Sequence, residues 1–269
     1  MPQHSVNGTR LYVEDSGGNG PPVLFSHGLL YSCRMWDGQL PSLRSRFRCI
    51  AYDHRGQGQS EVAAGGYDLD TVSEDAAALI REMGVQPVHF VGLSMGGFVG
   101  MRLATRHPEL LRSLALLDTT ADAEPAENLP RYRLLNFLER WVGPWLVASS
   151  VMKIMHGATV RADPARAAEL RVVRDRFGAL NRIGAVRAVN GVLERKGVAD
   201  ELSNIRAPTL VMVGEEDVAT VPAKSEALAA AISGAQLVRI PRAGHLSPID
   251  NPGFVTEQLS RFLGSFQAA

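Results

Sequence analysis

Residues 92–96 read Gly-Leu-Ser-Met-Gly and set one serine, Ser94, between two glycines. An apolar run, Val88–Val91, precedes this pentapeptide, and Phe98–Arg106 after it carries apolar residues at helical spacing. A serine on a tight turn between a strand and a helix is held in a strained backbone conformation that exposes its hydroxyl, and the helix directs its N-terminal amides towards that hydroxyl. The pattern therefore predicts that Ser94 is a nucleophile in acyl transfer.

A serine hydroxyl is a weak nucleophile near neutral pH, so this hypothesis requires a histidine base and a carboxylate that orients the base. The apolar run Thr209–Val213 leads to Asp217, and the run Leu237–Ile240 leads to His245. Because the C-terminal ends of parallel strands emerge at one edge of a sheet, we expect Ser94, Asp217 and His245 to meet there.

Two other carboxylates are alternatives to Asp217 as the acid. Glu216 is adjacent to it in sequence, and Asp118 follows an earlier strand-like run. The acid must reach the ring nitrogen of His245 that lies opposite the serine. Sequence favours Asp217, but only geometry can decide among the three.

The elements that position these groups alternate between strand-like and helix-like patterns, which predicts an α/β fold with a mostly parallel sheet. Asn7-Gly8 lies between two short strand-like runs and predicts a tight hairpin at the start of the sheet. Residues 70–83 carry apolar residues on one face and predict a helix with Asp70 as its N-cap.

The alternation of strands and helices stops after Asp118 and resumes at Thr209. We therefore expect a core domain, residues 1–120 and 206–269, with a helical cap, residues 121–205, inserted into it. A cap of this kind excludes water and limits the size of a substrate.

The large apolar side chains of the cap permit two interpretations. Either they pack the cap helices onto one another, which is the common role of such residues, or some of them form the ceiling of an acyl pocket. The candidates for contact with a substrate, which include one tryptophan outside the cap, are Trp36, Phe137, Trp141, Trp145, Met152 and Met155.

Composition favours a single filled catalytic domain whose partner is a small neutral molecule. The chain has 269 residues, of which 45% are apolar, so it can bury a substantial core. Lys plus Arg equals Asp plus Glu at 28 each, which gives no indication of a nucleic-acid or anionic membrane surface. No apolar run is long enough to span a bilayer, and residues 1–10 lack the pattern of a signal peptide, so we expect a cytoplasmic protein.

The sequence gives no indication of a bound metal or cofactor. Cys33 and Cys49 are too few for a zinc motif, and we expect both to be reduced thiols. Gly56-Gln57-Gly58 lacks the third glycine of a dinucleotide-binding fingerprint, and no Walker-type lysine follows a glycine-rich loop.

Several motifs in a fixed order resemble the α/β-hydrolase superfamily. They are His27-Gly28-Leu29 after one strand-like run, Asp53–Ser60 after the next, and the segments of the three residues proposed for acyl transfer. The resemblance extends from about Leu11 to Phe262. It implies a mostly parallel eight-stranded sheet flanked by helices, with a helical cap inserted after the sixth strand.

Within that superfamily, the segments Arg34–Asp37, Gly92–Gly97 and Ala243–Ser247 most resemble 3-oxoadipate enol-lactonases, cofactor-free haloperoxidases and carboxylesterases. The resemblance implies an oxyanion hole formed by the backbone N–H groups of Leu29 and Met95. Each such donor typically lowers the barrier by about 3 to 4 kcal/mol.

The resemblance implies a serine esterase of the carboxylesterase type, which cleaves esters of small to medium apolar substrates through an acyl-enzyme on Ser94. Lactone hydrolysis, of the 3-oxoadipate enol-lactone or acyl-homoserine lactone type, and perhydrolysis would use the same triad and stay open as alternatives. An acidic lactone requires a cationic group in the pocket, for which Arg34, Arg131 and Arg133 are candidates only by nearness. A non-catalytic ligand receptor on the same fold is a further alternative.

Overall fold

The computed structural model describes residues 3–141 and 144–266, although not the side chains of residue 139 and residues 144–147. Its strands are β1 (Gln3–Val6), β2 (Thr9–Asp15), β3 (Pro22–Ser26), β4 (Arg48–Tyr52), β5 (Val88–Leu93), β6 (Leu111–Leu117), β7 (Thr209–Gly214) and β8 (Gln236–Ile240). They form one sheet in the order β1-β2-β4-β3-β5-β6-β7-β8. Strand β2 is antiparallel to both of its neighbours, and all other neighbouring pairs are parallel.

Helices flank this sheet, and five of them lie between β6 and β7. The α-helices of the described residues are α1 (Leu40–Leu43), α2 (Leu69–Glu82), α3 (Met95–Arg106), α4 (Leu129–Trp141), α5 (Pro144–Met155), α6 (Ala158–Ala162), α7 (Ala167–Gly178), α8 (Arg182–Leu193), α9 (Pro222–Ala231), α10 (Ser247–Asp250) and α11 (Pro252–Gly264). The fold class expected from the sequence is therefore confirmed, including the helical segment after the sixth strand.

Alternate residues of the central strands pack on opposite faces of the sheet, as the period of two in a strand requires. Leu24 and Phe90 belong to one buried cluster together with residues of α2 and α3. Val23, Phe25 and Val91 belong to a second cluster together with residues of α1 and α11. Since both faces are covered, a ligand can reach the sheet only at its edges, and in open α/β sheets ligands bind at the C-terminal edge.

The hairpin expected at Asn7-Gly8 is present, because both residues have positive φ angles, 45° and 74°, and β1 pairs with β2 across them. The N-cap expected for α2 was wrong. Asp68, not Asp70, has the extended backbone of a cap, and its side chain accepts the N–H of Thr71 at 2.9 Å. Asp70 lies in the first turn of the helix and pairs with Arg102 at 2.8 Å instead.

Cys33 and Cys49 are buried thiols that form no disulfide. Throughout residues 3–141 and 144–266, every helix is too short or too polar to cross a bilayer.

Candidate active site

Ser94 lies on the turn between β5 and α3, with φ 52° and ψ −109°, a backbone conformation that is strained for any residue other than glycine. A Cβ at Gly92 would collide with the backbone of Gly96, and a Cβ at Gly96 would collide with the backbone of Ser26. The two glycines therefore permit the close packing that the turn requires. The serine hydroxyl stands at the N-terminus of α3, where the helix dipole favours negative charge.

Asp217 and His245 form the second part of the site. Asp217 follows β7 and His245 follows β8, and Asp217 Oδ2 lies 2.9 Å from His245 Nδ1. Both side chains are almost completely buried. The two loops meet at the C-terminal edge of the sheet, as the sequence predicts, and the imidazole is oriented through the nitrogen that the carboxylate should hold.

Asp217 is itself held by hydrogen bonds from its own loop. Its Oδ1 accepts the N–H groups of Ala219 at 2.8 Å and Thr220 at 3.0 Å, and its Oδ2 accepts the Thr220 hydroxyl at 2.7 Å. The same hydroxyl is 3.2 Å from His245 Nδ1. Sequence reasoning missed Thr220, although an aspartate followed by a threonine three residues later is a common pattern for such a turn.

Ser94 and His245 line the same cavity. No hydrogen bond joins the Ser94 hydroxyl to the imidazole within the described residues, and the ring contacts Asp217 and Thr220 through Nδ1. This leaves Nε2 as the nitrogen available to the serine. Such bonds are often long in the absence of substrate and shorten in the complex.

Asp217 and His245 shift each other's pKa values, so that the imidazole binds its proton more tightly and the carboxylate stays ionised. Burial alone would lower the pKa of His245, but the Asp217 charge and hydrogen bond outweigh it, and the pKa of His245 is raised above its usual value of 6.5. Burial would raise the pKa of Asp217, yet the His245 charge and the bonds from His245 and Thr220 lower it below 3.8. Asp217 is therefore ionised wherever the imidazole is required to act.

The two alternative acids are occupied elsewhere. Asp118 is fully buried, where its Oδ1 accepts the Gly214 N–H at 2.8 Å and its Oδ2 is bonded by the Ser247 hydroxyl. Burial and the nearby Asp217 charge raise its pKa well above 3.8. Glu216 accepts the N–H of Thr159 at 2.8 Å. Of the three carboxylates considered, only Asp217 is hydrogen-bonded to His245.

The two backbone amides expected to bind an oxyanion belong to the loop after β3 and to the first residue of α3. Leu29 lines the cavity beside Ser94, and Met95 is the first residue of α3, so its N–H has no acceptor within the helix. Gln57 ties the loops together, because its Oε1 accepts the Leu30 N–H at 2.7 Å and its Nε2 lies 3.5 Å from Met95 Sδ. Sequence reasoning missed this role of Gln57, which depends on contacts distant along the chain.

Ser94 and His245 line a cavity of about 390 Å³ together with Leu29 and Leu246. Most of its wall is apolar, and the cap supplies much of it. The cap side chains in this wall include Tyr132, Leu135, Val151, Ile154, Met155, Val189, Val192 and Leu193.

Of the six candidates for substrate contact, Met155 lines this cavity. Phe137 and Trp141 do not: they are 58% and 67% exposed on the outer face of α4, so assigning them to the pocket was wrong. Assigning Trp36 to the pocket was also wrong, because its side chain is completely buried in the core. Its ring centroid lies 5.3 Å from that of Phe25. Met152 is half-buried outside the lining, and the side chain of Trp145 lies outside the described residues.

The cap is joined to the catalytic loops where α5 ends. Asp250 Oδ1 is 2.6 Å from His156 Nδ1, and Asp250 Oδ2 accepts the N–H groups of Gly157 and Gly244, each at 2.8 Å. The Leu246 N–H donates to the carbonyl of Met155 at 2.9 Å. Because Gly244 and Leu246 flank His245, these contacts hold the histidine loop against the cap.

Across residues 3–141 and 144–266, no three His, Cys, Asp or Glu side chains are placed to hold a metal ion.

The family model described as the alpha/beta hydrolase fold matches residues 21–252. A thermophilic esterase from Thermogutta terrifontis, solved with malate, superposes with a TM-score of 0.91 at 31% identity, covering 98% of this chain and 99% of that one. The enol-lactonase from Burkholderia xenovorans LB400 superposes with a TM-score of 0.90 at 31% identity, over 98% and 100%. A Mycobacterium tuberculosis protein provisionally named as the non-heme bromoperoxidase BpoC is 31% identical, over 94% of this chain and 98% of its own length.

Proposed function

The chain belongs to the α/β-hydrolase family, and on that premise we propose that it is a serine hydrolase that cleaves carboxylic esters of small to medium-sized apolar substrates. One observation carries the proposal: His245, which Asp217 holds at 2.9 Å, lines the same cavity as Ser94. A serine hydroxyl is activated when an imidazole beside it is oriented by a carboxylate bound to the other ring nitrogen, here Nδ1.

In the proposed mechanism, His245 Nε2 accepts the proton of the Ser94 hydroxyl while Oγ bonds to the ester carbonyl carbon. The N–H groups of Leu29 and Met95 donate to the oxyanion that forms. When the intermediate collapses, the bond from the carbonyl carbon to the alkoxide oxygen breaks, and His245 gives the proton to the leaving alcohol.

Hydrolysis of the acyl-enzyme follows the same route with water in place of Ser94. His245 accepts a proton from water as the water oxygen bonds to the acyl carbon, and it returns that proton to Oγ when the acid leaves. Asp217 stays ionised throughout and stabilises the imidazolium of His245 in both halves of the reaction.

The division of labour follows the domain arrangement expected from the sequence. We propose that the core, residues 1–120 and 206–269, carries the reaction and that the cap, residues 121–205, sets which acyl or alcohol groups fit. The apolar wall of the cavity supports an uncharged substrate. We also propose a cytoplasmic enzyme that acts without a cofactor and binds neither nucleic acid nor a membrane.

Lactone hydrolysis is the second candidate, supported by the similarity to the Burkholderia xenovorans enol-lactonase at a TM-score of 0.90. A lactone is a cyclic ester, so Ser94 and His245 would act on it by the same steps. Perhydrolysis would require only that hydrogen peroxide replace water against the acyl-enzyme.

The test is a hydrolysis panel of p-nitrophenyl esters from acetate to decanoate, assayed beside simple lactones and 3-oxoadipate enol-lactone. We expect the highest kcat/KM with a neutral ester, and loss of turnover in Ser94→Ala. A preference for the acidic lactone by orders of magnitude would replace the esterase proposal with the lactonase. Absence of turnover on every substrate by the folded protein would favour a receptor.

A further inference from the structure

Four charged residues line the catalytic cavity, and the structure pairs them with one another. Lys224 Nζ lies 2.6 Å from Asp122 Oδ2, and these two side chains are nearly half exposed. Arg195 Nη1 lies 2.9 Å from Glu124 Oε2, and these two are only 5% and 13% exposed. Among the described residues of the cavity wall, every lysine and arginine is therefore already neutralised by a carboxylate of the protein.

Arg195 is the more deeply placed of the two cations. Its guanidinium stacks on the ring of Phe98, 4.5 Å from the centroid, and Phe98 lies one turn beyond Ser94 on α3. Its Nε donates to the carbonyl of Asp122 at 3.0 Å, and Nη1 also donates to the carbonyl of Val192 at 2.9 Å. These contacts fix the guanidinium in one orientation at the cavity wall, where it would otherwise suit a carboxylate.

Glu124 neutralises Arg195, and both of its carboxylate oxygens accept hydrogen bonds. Oε2 accepts from Arg195, and Oε1 accepts the side-chain amide of Asn128 at 3.0 Å. A substrate carboxylate that displaced Glu124 would leave a nearly buried anion without its partner, which is strongly unfavourable. The ionised Asp217, 2.9 Å from His245 Nδ1, adds a further negative charge behind the catalytic imidazole.

We propose that Glu124 is a specificity-determining residue that occupies Arg195 and thereby restricts the cavity to uncharged substrates. The inference rests on the proposed esterase function and extends it, because it states that esters and lactones carrying a carboxylate are rejected. It also identifies the structural change that would admit them: removal of the Glu124 charge leaves Arg195 fixed, cationic and free to pair with a carboxylate of the substrate.

The experiment compares ethyl pentanoate with monoethyl glutarate, two esters of equal acyl length that end in a methyl group or a carboxylate. We expect the wild-type protein to favour the neutral ester in kcat/KM by about tenfold or more, since one hydrogen bond to a charged group typically contributes at least that factor. In Glu124→Gln, the ratio of kcat/KM for the anionic ester to kcat/KM for the neutral ester should rise by about tenfold or more. Adding Arg195→Gln should abolish that rise.

A matched control is Glu61→Gln, which makes the same chemical change at a pair with Arg10, 3.1 Å apart and outside the cavity. This variant should leave the ratio unchanged. The proposal is overturned if the wild-type protein hydrolyses monoethyl glutarate as well as ethyl pentanoate, a result that needs no variant to fold. It is also overturned if folded Glu124→Gln hydrolyses the neutral ester and has the same ratio of kcat/KM for the two esters as the wild-type protein.

Calorimetric binding of the two esters to Ser94→Ala tests the same inference without turnover. Tighter binding of ethyl pentanoate supports the proposal, and equal or tighter binding of monoethyl glutarate contradicts it. If wild-type protein hydrolyses neither ester, the proposed function fails, and the binding measurement still decides whether the cavity rejects a carboxylate.

Discussion

The loops at the C-terminal edge of the sheet and the inner face of the cap form opposite walls of one cavity, but they hold their side chains by different means. On the sheet side, Asp217 and Asp250 are each fixed by backbone N–H groups and by a histidine. On the cap side, Leu135, Val189 and Val192 meet the cavity through apolar contact. Hydrogen-bonded geometry tolerates little change, whereas an apolar wall can change volume without losing its role. We therefore expect substitutions of the catalytic groups on the sheet side to lower kcat strongly and those in the cap to change substrate preference.

The largest effect after loss of the nucleophile should come from Asp217→Asn. An amide at this position cannot hold the required tautomer of His245, and comparable substitutions lower kcat about 10⁴-fold. Steady-state kinetics on the best neutral ester measures the change. The matched variant Asp118→Asn replaces a buried carboxyl whose pKa is raised, so it should alter kcat/KM far less. Equal losses in the two variants would refute the assignment of Asp217 as the acid.

Asp250→Asn tests the link between the two walls. An amide oxygen in the place of Oδ2 can still accept the N–H groups of Gly157 and Gly244, but the amide then presents an NH2 group to His156 and carries no charge. Loss of a hydrogen bond to a charged group typically costs about 1.5 to 3 kcal/mol of unfolding free energy. Because the Asp250 charge contributes to the raised pKa of His245, its removal should also move the acid limb of kcat/KM to lower pH. Denaturant unfolding and a pH–rate profile measure the two effects.

The control for this link is Glu216→Gln, which weakens the side-chain contact with Thr159 in the cap and leaves the bonds of Asp250 in place. It should lower stability slightly and leave the acid limb in place. An unchanged pH profile in folded Asp250→Asn would show that Asp250 fastens the cap without acting on His245.

Leu135→Ala should change the preference for acyl-chain length more than it changes kcat. It enlarges the cavity on the cap side, and each added or missing methylene in an apolar pocket typically alters discrimination about 10- to 200-fold. We expect the optimum of the p-nitrophenyl ester series to move to longer acyl chains. Phe137→Ala, on the exposed face of the same helix, is the control and should leave the optimum unchanged. A shift in the control alone would reverse the assignment of the inner face of α4.

The smallest effect concerns the pH profile of the unmodified protein. An unperturbed histidine predicts an acid limb near pH 6.5. The raised pKa of His245 places it higher, because the imidazole stays protonated, and so inactive as a base, up to a higher pH. Activity should therefore fall as the pH decreases through a value above 6.5. A midpoint below 6.5 on the best ester would contradict the influence of the Asp217 charge.

The sequence was sufficient for the alternation of strands and helices and for the Asp217–His245 pair, because each motif follows a strand-like run and parallel strands share one edge. It was insufficient for the inner face of the cap. Helix α4 carries apolar residues all around, so the periodicity of Phe137 and Trp141 indicated a helix without showing which face is buried. Gln57 and Asp250 act through contacts far apart along the chain, and a single sequence contains no signal for such contacts.

The central claim is that Ser94 is the nucleophile, and intact-mass spectrometry after reaction with a fluorophosphonate probe tests it most directly. We expect one covalent adduct, located on Ser94 by peptide mapping and absent from Ser94→Ala. An adduct on another residue, or none on the folded protein, would contradict it.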